Sequence, residues 1–202
     1  MIKNIIFDNG GVIVKYSAST YLNYFNFDKK VEDDLNTLFS TDKWVELSKG
    51  IINDVEFLEY CISVFPHYKK EIEMMLSYDN IKYLLPVYNE TLNFIDRLKL
   101  KGYKVYLLSD IIEDTIRYMN EVVPSFESLF DGIVYSCRVG MVKKEGMVFD
   151  YILKEYNLDP EETLFLDDSI TNINEANKRG IVTYRIIDPI VDIPNIEKNI
   201  LK

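Results

Sequence analysis

The sequence predicts an α/β fold, a parallel sheet flanked by helices and interrupted early by an all-helical insertion. Three observations carry this reading. Short apolar runs end abruptly in polar residues: Ile5-Ile6-Phe7 before Asp8, Val105-Tyr106-Leu107-Leu108 before Ser109-Asp110, and Leu164-Phe165-Leu166 before Asp167-Asp168. Continuous runs of this length suit strands covered on both faces, as in parallel sheets. Helical patterns separate the later runs, and one long stretch between the first two is helical throughout.

That stretch extends from about Tyr16 to about Tyr88, with candidate helices at Val31 to Phe39, Asp54 to Phe65 and Tyr68 to Ser77. It divides the chain into a core of residues 1–15 and 89–202 and an inserted helical cap of residues 16–88. A lobe so placed is either a lid that excludes water and chooses substrates or an elaborated connection with no gating role. Thr91 to Lys101 sets Leu92, Ile95 and Leu98 on one helical face and stops at Gly102, directly before the Tyr103 to Leu108 strand. Val148 to Tyr156 repeats the pattern, and Asn157 to Pro160 turns the chain into the strand ending at Asp167. Asn172 to Arg179 is the next helix, closed by Gly180 before a fourth strand at Ile181 to Ile187. The alternation predicts a Rossmann-like wound sheet. Ligands in such sheets bind beyond the carboxyl ends of the strands, so the polar strand ends should converge on one crevice.

Composition narrows the function. A net charge of -10 argues against a nucleic-acid partner, because such binding relies on clustered Lys and Arg. No segment approaches the roughly 20 apolar residues of a membrane span. Cys61 and Cys137 lie far apart and in no metal-ligand spacing, which predicts reduced thiols and a cytoplasmic protein. The lone histidine, His67, has no orienting partner nearby and is expected to be a surface residue. Chemistry must then rest on carboxylates, hydroxyls and lysine.

The segments IIFDNGGVIV, VYLLSD, GMVKKEGMVF and LFLDDSITNINEANKRGI follow the order and spacing of the four motifs of the haloacid dehalogenase-like hydrolase superfamily. The resemblance covers nearly the whole chain and implies a phosphatase acting on a small phosphorylated metabolite, with Mg²⁺ as cofactor. It makes Asp8 the nucleophile that forms an aspartyl-phosphate. Ser109 is implied to hydrogen-bond a phosphate oxygen, with Asp110 and Asn9 beside it in substrate binding. Lys143 would offset charge in catalysis and binding, although Lys144 stands next to it as a rival. The metal set is implied to be Asp8, the Gly10 carbonyl, Asp168 and Asp167, the last acting through water or by holding Lys143. Asn172 supports that set from behind.

Gly10 departs from the common pattern of the superfamily, which carries there a second Asp that shuttles protons. The D-x-G form is similar to that of a branch resembling sugar phosphatases such as glucose-1-phosphate phosphatase, and to the N-terminal domain of soluble epoxide hydrolase, which places a sugar phosphate among the candidate substrates. General acid-base help is worth about 10²–10⁴-fold, so its loss weakens a metal-assisted attack without abolishing it. Two alternatives stay open. One is a catalytically impaired protein that binds phosphate and metal. The other is a 2-haloacid dehalogenase, against which the paired acids Asp167-Asp168 speak, since attack on a neutral carbon needs no divalent cation. Trp44 is expected to pack the core of the helical lobe, with a contact to substrate as the alternative.

Overall fold

The computed structural model describes residues 1–16, 18–81 and 86–201. Ser17 and residues 82–85 of the predicted insertion lie outside them. Five strands, β1 (Asn4–Phe7), β2 (Lys104–Ser109), β3 (Gly132–Tyr135), β4 (Thr163–Asp167) and β5 (Val182–Arg185), form one parallel sheet in the order β3-β2-β1-β4-β5. The insertion after β1 supplies α1 (Ala18–Asn23), α2 (Lys29–Asn36), α3 (Asp42–Ser48), α4 (Asp54–Val64), α5 (Lys69–Met75) and α6 (Tyr78–Ile81). The remainder adds α7 (Asn89–Leu100), α8 (Glu113–Val122), α9 (Ser136–Val139), α10 (Met147–Glu155), α11 (Ile170–Asn177) and α12 (Pro189–Asn199).

β1 lies at the centre, and its continuous apolar run follows from that position. Ile5 and Phe7 join a cluster with Phe94 and Ile95 of α7, Ile116 of α8 and Ile196 of α12. Ile6 points the other way, toward Leu108, Phe165, Phe149 of α10 and Ile173 of α11. Alternate residues thus feed two cores, as the period of two along a strand requires. Each such side chain contributes roughly 1.5–3 kcal/mol on full burial, which fixes the strand's register at the centre of the sheet.

The insertion has a core of its own, in which Leu22, Leu35, Leu38, Phe57, Cys61 and Ile72 are buried together. Helix α4 starts with a capping box, Asn53 accepting from the Glu56 amide while the Glu56 carboxylate accepts from the Asn53 amide. The chain leaves and re-enters the sheet side by side, for Val14 bridges Val87 and the Lys15 amide donates to the Pro86 carbonyl at 2.9 Å. A second anchor lies at residues 48–50. Ser136 Oγ donates to the Ser48 carbonyl at 2.6 Å, and Lys49 pairs with Glu145 at 2.6 Å. Gly50 has φ +68, and a Cβ there would fall 2.2 Å from the Cys137 carbonyl oxygen. Gly50→Ala should therefore destabilise the protein by about 2 kcal/mol, through the left-handed backbone and the overpacked contact together. Urea unfolding checks this, and a change under about 0.5 kcal/mol would refute the contact.

Several boundaries differ from the sequence expectation. The predicted helix over Val31 to Phe39 runs from Lys29 to Asn36 and tightens into a 3-10 turn at Thr37–Ser40. The fourth strand is only Val182–Arg185, an edge strand with half-exposed residues. β3, α8 and α12 have no counterpart among the expected elements. β3 has four residues headed by a glycine, α8 carries four charges among its ten residues, and α12 contains Pro194, whose missing N–H normally argues against a helix interior.

Candidate active site

Parallel pairing sets the geometry of the site. Phe7 lies level with Leu107 on one side and Leu166 on the other, so Asp8, Ser109 and Asp167 emerge together at the strand ends. The Asp8 amide still donates to the Leu166 carbonyl at 2.9 Å, which continues the ladder to the site's edge. Beyond Asp8 the chain turns tightly. The Asn9 carbonyl accepts from the Ile13 and Val14 amides at 2.8 and 3.0 Å, and the Gly11 amide donates to Val14 at 2.7 Å. Gly11 has φ +73, and a Cβ there would come within 2.6 Å of the Asp168 carboxyl carbon, so only glycine allows the loop to lie against Asp168.

Lys143 is buried, with Nζ 2.6 Å from Asp8 Oδ1 and 2.7 Å from Asp167 Oδ2. Its neighbour Lys144 is exposed, so the structure puts Lys143 and not Lys144 between the acids. The Asp110 carboxylate accepts the Lys143 amide at 3.1 and 3.2 Å, which positions the lysine rather than leaving Asp110 turned wholly toward a ligand. Asp167 is fully buried and accepts from the Ser169 amide at 2.7 Å and from Asn172 Nδ2 at 3.1 Å, besides Lys143. Asn172 thus stands behind the acids as expected.

Asp8, Asn9, Gly10, Ser109, Asp110, Lys143 and Asp168 all line one cavity of about 540 Å³ beneath the helical insertion. Asp167 lies behind its wall, touching Lys143. Asn9 Oδ1 is buried without a hydrogen-bond partner among the described residues. Two residues that sequence reasoning missed belong to the same construction. Ser136 accepts the Ile111 amide at 2.9 Å and holds the Ser48 carbonyl, tying the end of β2 to the insertion, but it opens α9 directly behind β3, a strand with no recognisable sequence pattern. Tyr16 packs its ring beside Gly10, where an added Cβ would meet Tyr16 Cδ1 at 3.3 Å, and a lone tyrosine after a strand gives no such signal.

The electrostatics are lopsided. Ligand oxygens of Asp8, Asp167 and Asp168 lie within 4.8 Å of one another, with one lysine to serve them. Burial pushes the Asp8 carboxyl well above the usual carboxylate range; Lys143 pulls it down, while Asp167 and Asp168 push it further up. Burial likewise raises Asp168, and Asp167 adds to the effect. Lys143 behaves in the opposite sense, since burial works to discharge it but Asp167, Asp8 and Asp110 outweigh burial and hold its pKa raised. With Lys143 charged, the excess of acid in this desolvated place is offset either by a proton, which the raised Asp8 and Asp168 carboxyls favour, or by a further cation. The donor atoms are all hard oxygens, as Mg²⁺ prefers, so the residues fit a divalent ion of that kind.

Fold and site together define a Rossmann-like α/β protein whose charged groups gather at the carboxyl ends of three neighbouring strands. The chain belongs to the haloacid dehalogenase-like hydrolase family, whose sequence profile matches residues 2–178. A D-ribitol-5-phosphate phosphatase of Bacteroides thetaiotaomicron is 29% identical over 198 residues, covering 92% of this chain and 92% of its own. A sesquiterpene phosphatase of Aspergillus oryzae is 26% identical over 187 residues, covering 92% of this chain and 90% of its own. Among solved structures, a family enzyme from Bacteroides thetaiotaomicron in complex with magnesium and inorganic phosphate superposes with a TM-score of 0.70 at 24% identity, over 92% of this chain and 94% of that one.

Proposed function

We propose that the protein is a Mg²⁺-dependent phosphatase of a small phosphorylated metabolite, working through an aspartyl-phosphate on Asp8. The observation that carries this reading is Lys143 Nζ held at 2.6 and 2.7 Å between Asp8 and Asp167, with Asp168 beside them on the cavity floor. Two phosphatases related along nearly the full length of the chain support it.

Asp8 attacks phosphorus, forming the Asp8 O–P bond while the P–O bond to the alcohol breaks and the departing oxygen takes a proton from solvent. Water then attacks phosphorus, cleaves the acyl-phosphate and releases inorganic phosphate, restoring Asp8. Ser109 Oγ orients a phosphate oxygen, Asn9 offers a side-chain amide nearby, and Asp110 keeps Lys143 in place through its amide. Lys143 stays protonated throughout and offsets charge on Asp8 and the phosphate. Asp8, the Gly10 carbonyl and Asp168 would hold the metal, with Asp167 and Asn172 behind them; a bound Mg²⁺ supplies Lewis-acid neutralisation of the phosphate. Residues 16–88 act as the cap and residues 1–15 with 89–202 as the catalytic core.

The dehalogenase reading fits poorly, because uncompensated carboxylates disfavour a site for a neutral carbon-halogen centre. A binding protein without turnover draws support from Gly10, beside which the Tyr16 ring stands where an acid-base side chain would extend. Hydrolysis of acetyl phosphate and p-nitrophenyl phosphate, read as released inorganic phosphate, separates the readings. Release should require Mg²⁺ and fall at least about 10²-fold in EDTA. No release from either compound with Mg²⁺ present would leave only the binding protein.

A further inference from the structure

We infer that the ester this site takes carries a hydrocarbon body and not a polyhydroxylated one. This deepens the phosphatase reading and rests on it. The cavity has a polar floor, and above it the wall changes character. Tyr16, Tyr21, Phe39, Trp44, Met75 and Leu76 line it, and Trp44 packs its ring at 5.0 Å from Phe39 and 5.5 Å from Phe57. At about 540 Å³ the space exceeds what a phosphate alone fills and lies within the range of about 300–1,000 Å³ for small-molecule sites.

Several polar groups along this wall already have partners within the protein. The Tyr21 hydroxyl donates to the Met75 carbonyl, Ser48 Oγ donates to the Trp44 carbonyl at 2.8 Å, and Asp114 pairs with Arg117 at 3.0 Å. Ser40, Asp54, Thr115, Lys144 and the Tyr16 hydroxyl are further polar groups among the lining residues above the floor. A sugar or polyol brings several hydroxyls, and each one desolvated without a partner weakens binding by roughly ten- to a hundredfold. A hydrocarbon loses nothing there and gains by leaving water. Tyr16 extends the apolar wall down to Gly10, so the first carbons beyond the ester oxygen meet an aromatic ring.

The test uses the whole protein with Mg²⁺ and a series of n-alkyl phosphates from methyl to octyl, alongside glucose-1-phosphate, ribitol-5-phosphate and acetyl phosphate. The expected result is a kcat/KM that climbs roughly threefold per methylene until the cavity fills, with both polyol phosphates at least tenfold below butyl phosphate. Trp44→Ala should flatten that climb. Trp44 is the single tryptophan, so its fluorescence gives a readout independent of turnover. Octylphosphonate should shift its emission and bind at least tenfold more tightly than methylphosphonate, and Leu76→Ser should narrow that gap. A flat alkyl series, or polyol phosphates preferred, overturns the inference while acetyl phosphate turnover leaves the phosphatase standing. If not even acetyl phosphate is hydrolysed, the phosphatase reading fails, and the two phosphonates decide alone: equal affinity overturns the apolar cavity.

Discussion

Asp8→Asn is expected to lower kcat for acetyl phosphate by roughly 10⁴-fold or more while the protein still folds. The amide keeps the shape of the carboxylate, and its oxygen still accepts the Asn9 amide, now bonded to Asp8 Oδ1 at 2.6 Å. It cannot form the acyl-phosphate, so the loss falls on chemistry rather than on binding. The same substitution removes a charge that folding disfavours. Because burial raises the Asp8 carboxyl above its unfolded value, the folded state holds that proton more tightly than the unfolded chain. Asp8 accordingly favours folding below the ordinary carboxylate pKa of about 3.9, and this contribution is lost as pH rises through the folded value. At neutral pH, Asp8→Asn should therefore melt no lower in urea than the parent, since Lys143 keeps Asp167 at 2.7 Å. Released phosphate and urea midpoints measured side by side check both halves. Turnover within tenfold of the parent would remove Asp8 from the mechanism.

How far the sequence disclosed this site depends on where each residue sits. Asp8, Ser109 and Asp167 were legible because each ends a fully apolar run, and a parallel sheet brings strand ends together regardless of separation along the chain. The choice of Lys143 over Lys144 was also legible, through the helix that begins at Met147. Asp110 was only half legible. Its place in the crevice followed from the strand, but its bond to the Lys143 amide depends on a turn whose course no local pattern specifies. Ser136 was invisible for a stronger reason. It opens α9 directly after β3, and four residues with a glycine at their head make an edge strand only because β2 offers them a partner, which is a tertiary fact. The helical insertion announced itself by breaking the alternation, whereas the way Trp44 and Tyr16 face the cavity depends on how one lobe lies upon the other.

Lys143→Met tests the other half of the charge arrangement and should be the most damaging single change to stability in the site. Methionine fills much of the same volume but leaves Asp8 and Asp167 buried without their common cation. Breaking a buried pair from one side costs about 3–5 kcal/mol, and here one lysine serves two acids. The deficit should depend on pH with a definite sign. Lys143 now pulls the Asp8 pKa down, so its loss drives that already raised value higher and widens the gap to the unfolded carboxyl. The variant should then lose stability relative to the parent as pH rises through this higher folded pKa, and recover most of it on acidification toward about pH 4, where Asp8 is protonated in the folded state. Mg²⁺ should raise the variant's urea midpoint more than the parent's, because stranded carboxylates bind a cation that the lysine no longer rivals. A deficit that stayed constant from pH 8 to pH 4, with no extra response to Mg²⁺, would mean that Lys143 matters for its packing and not for its charge.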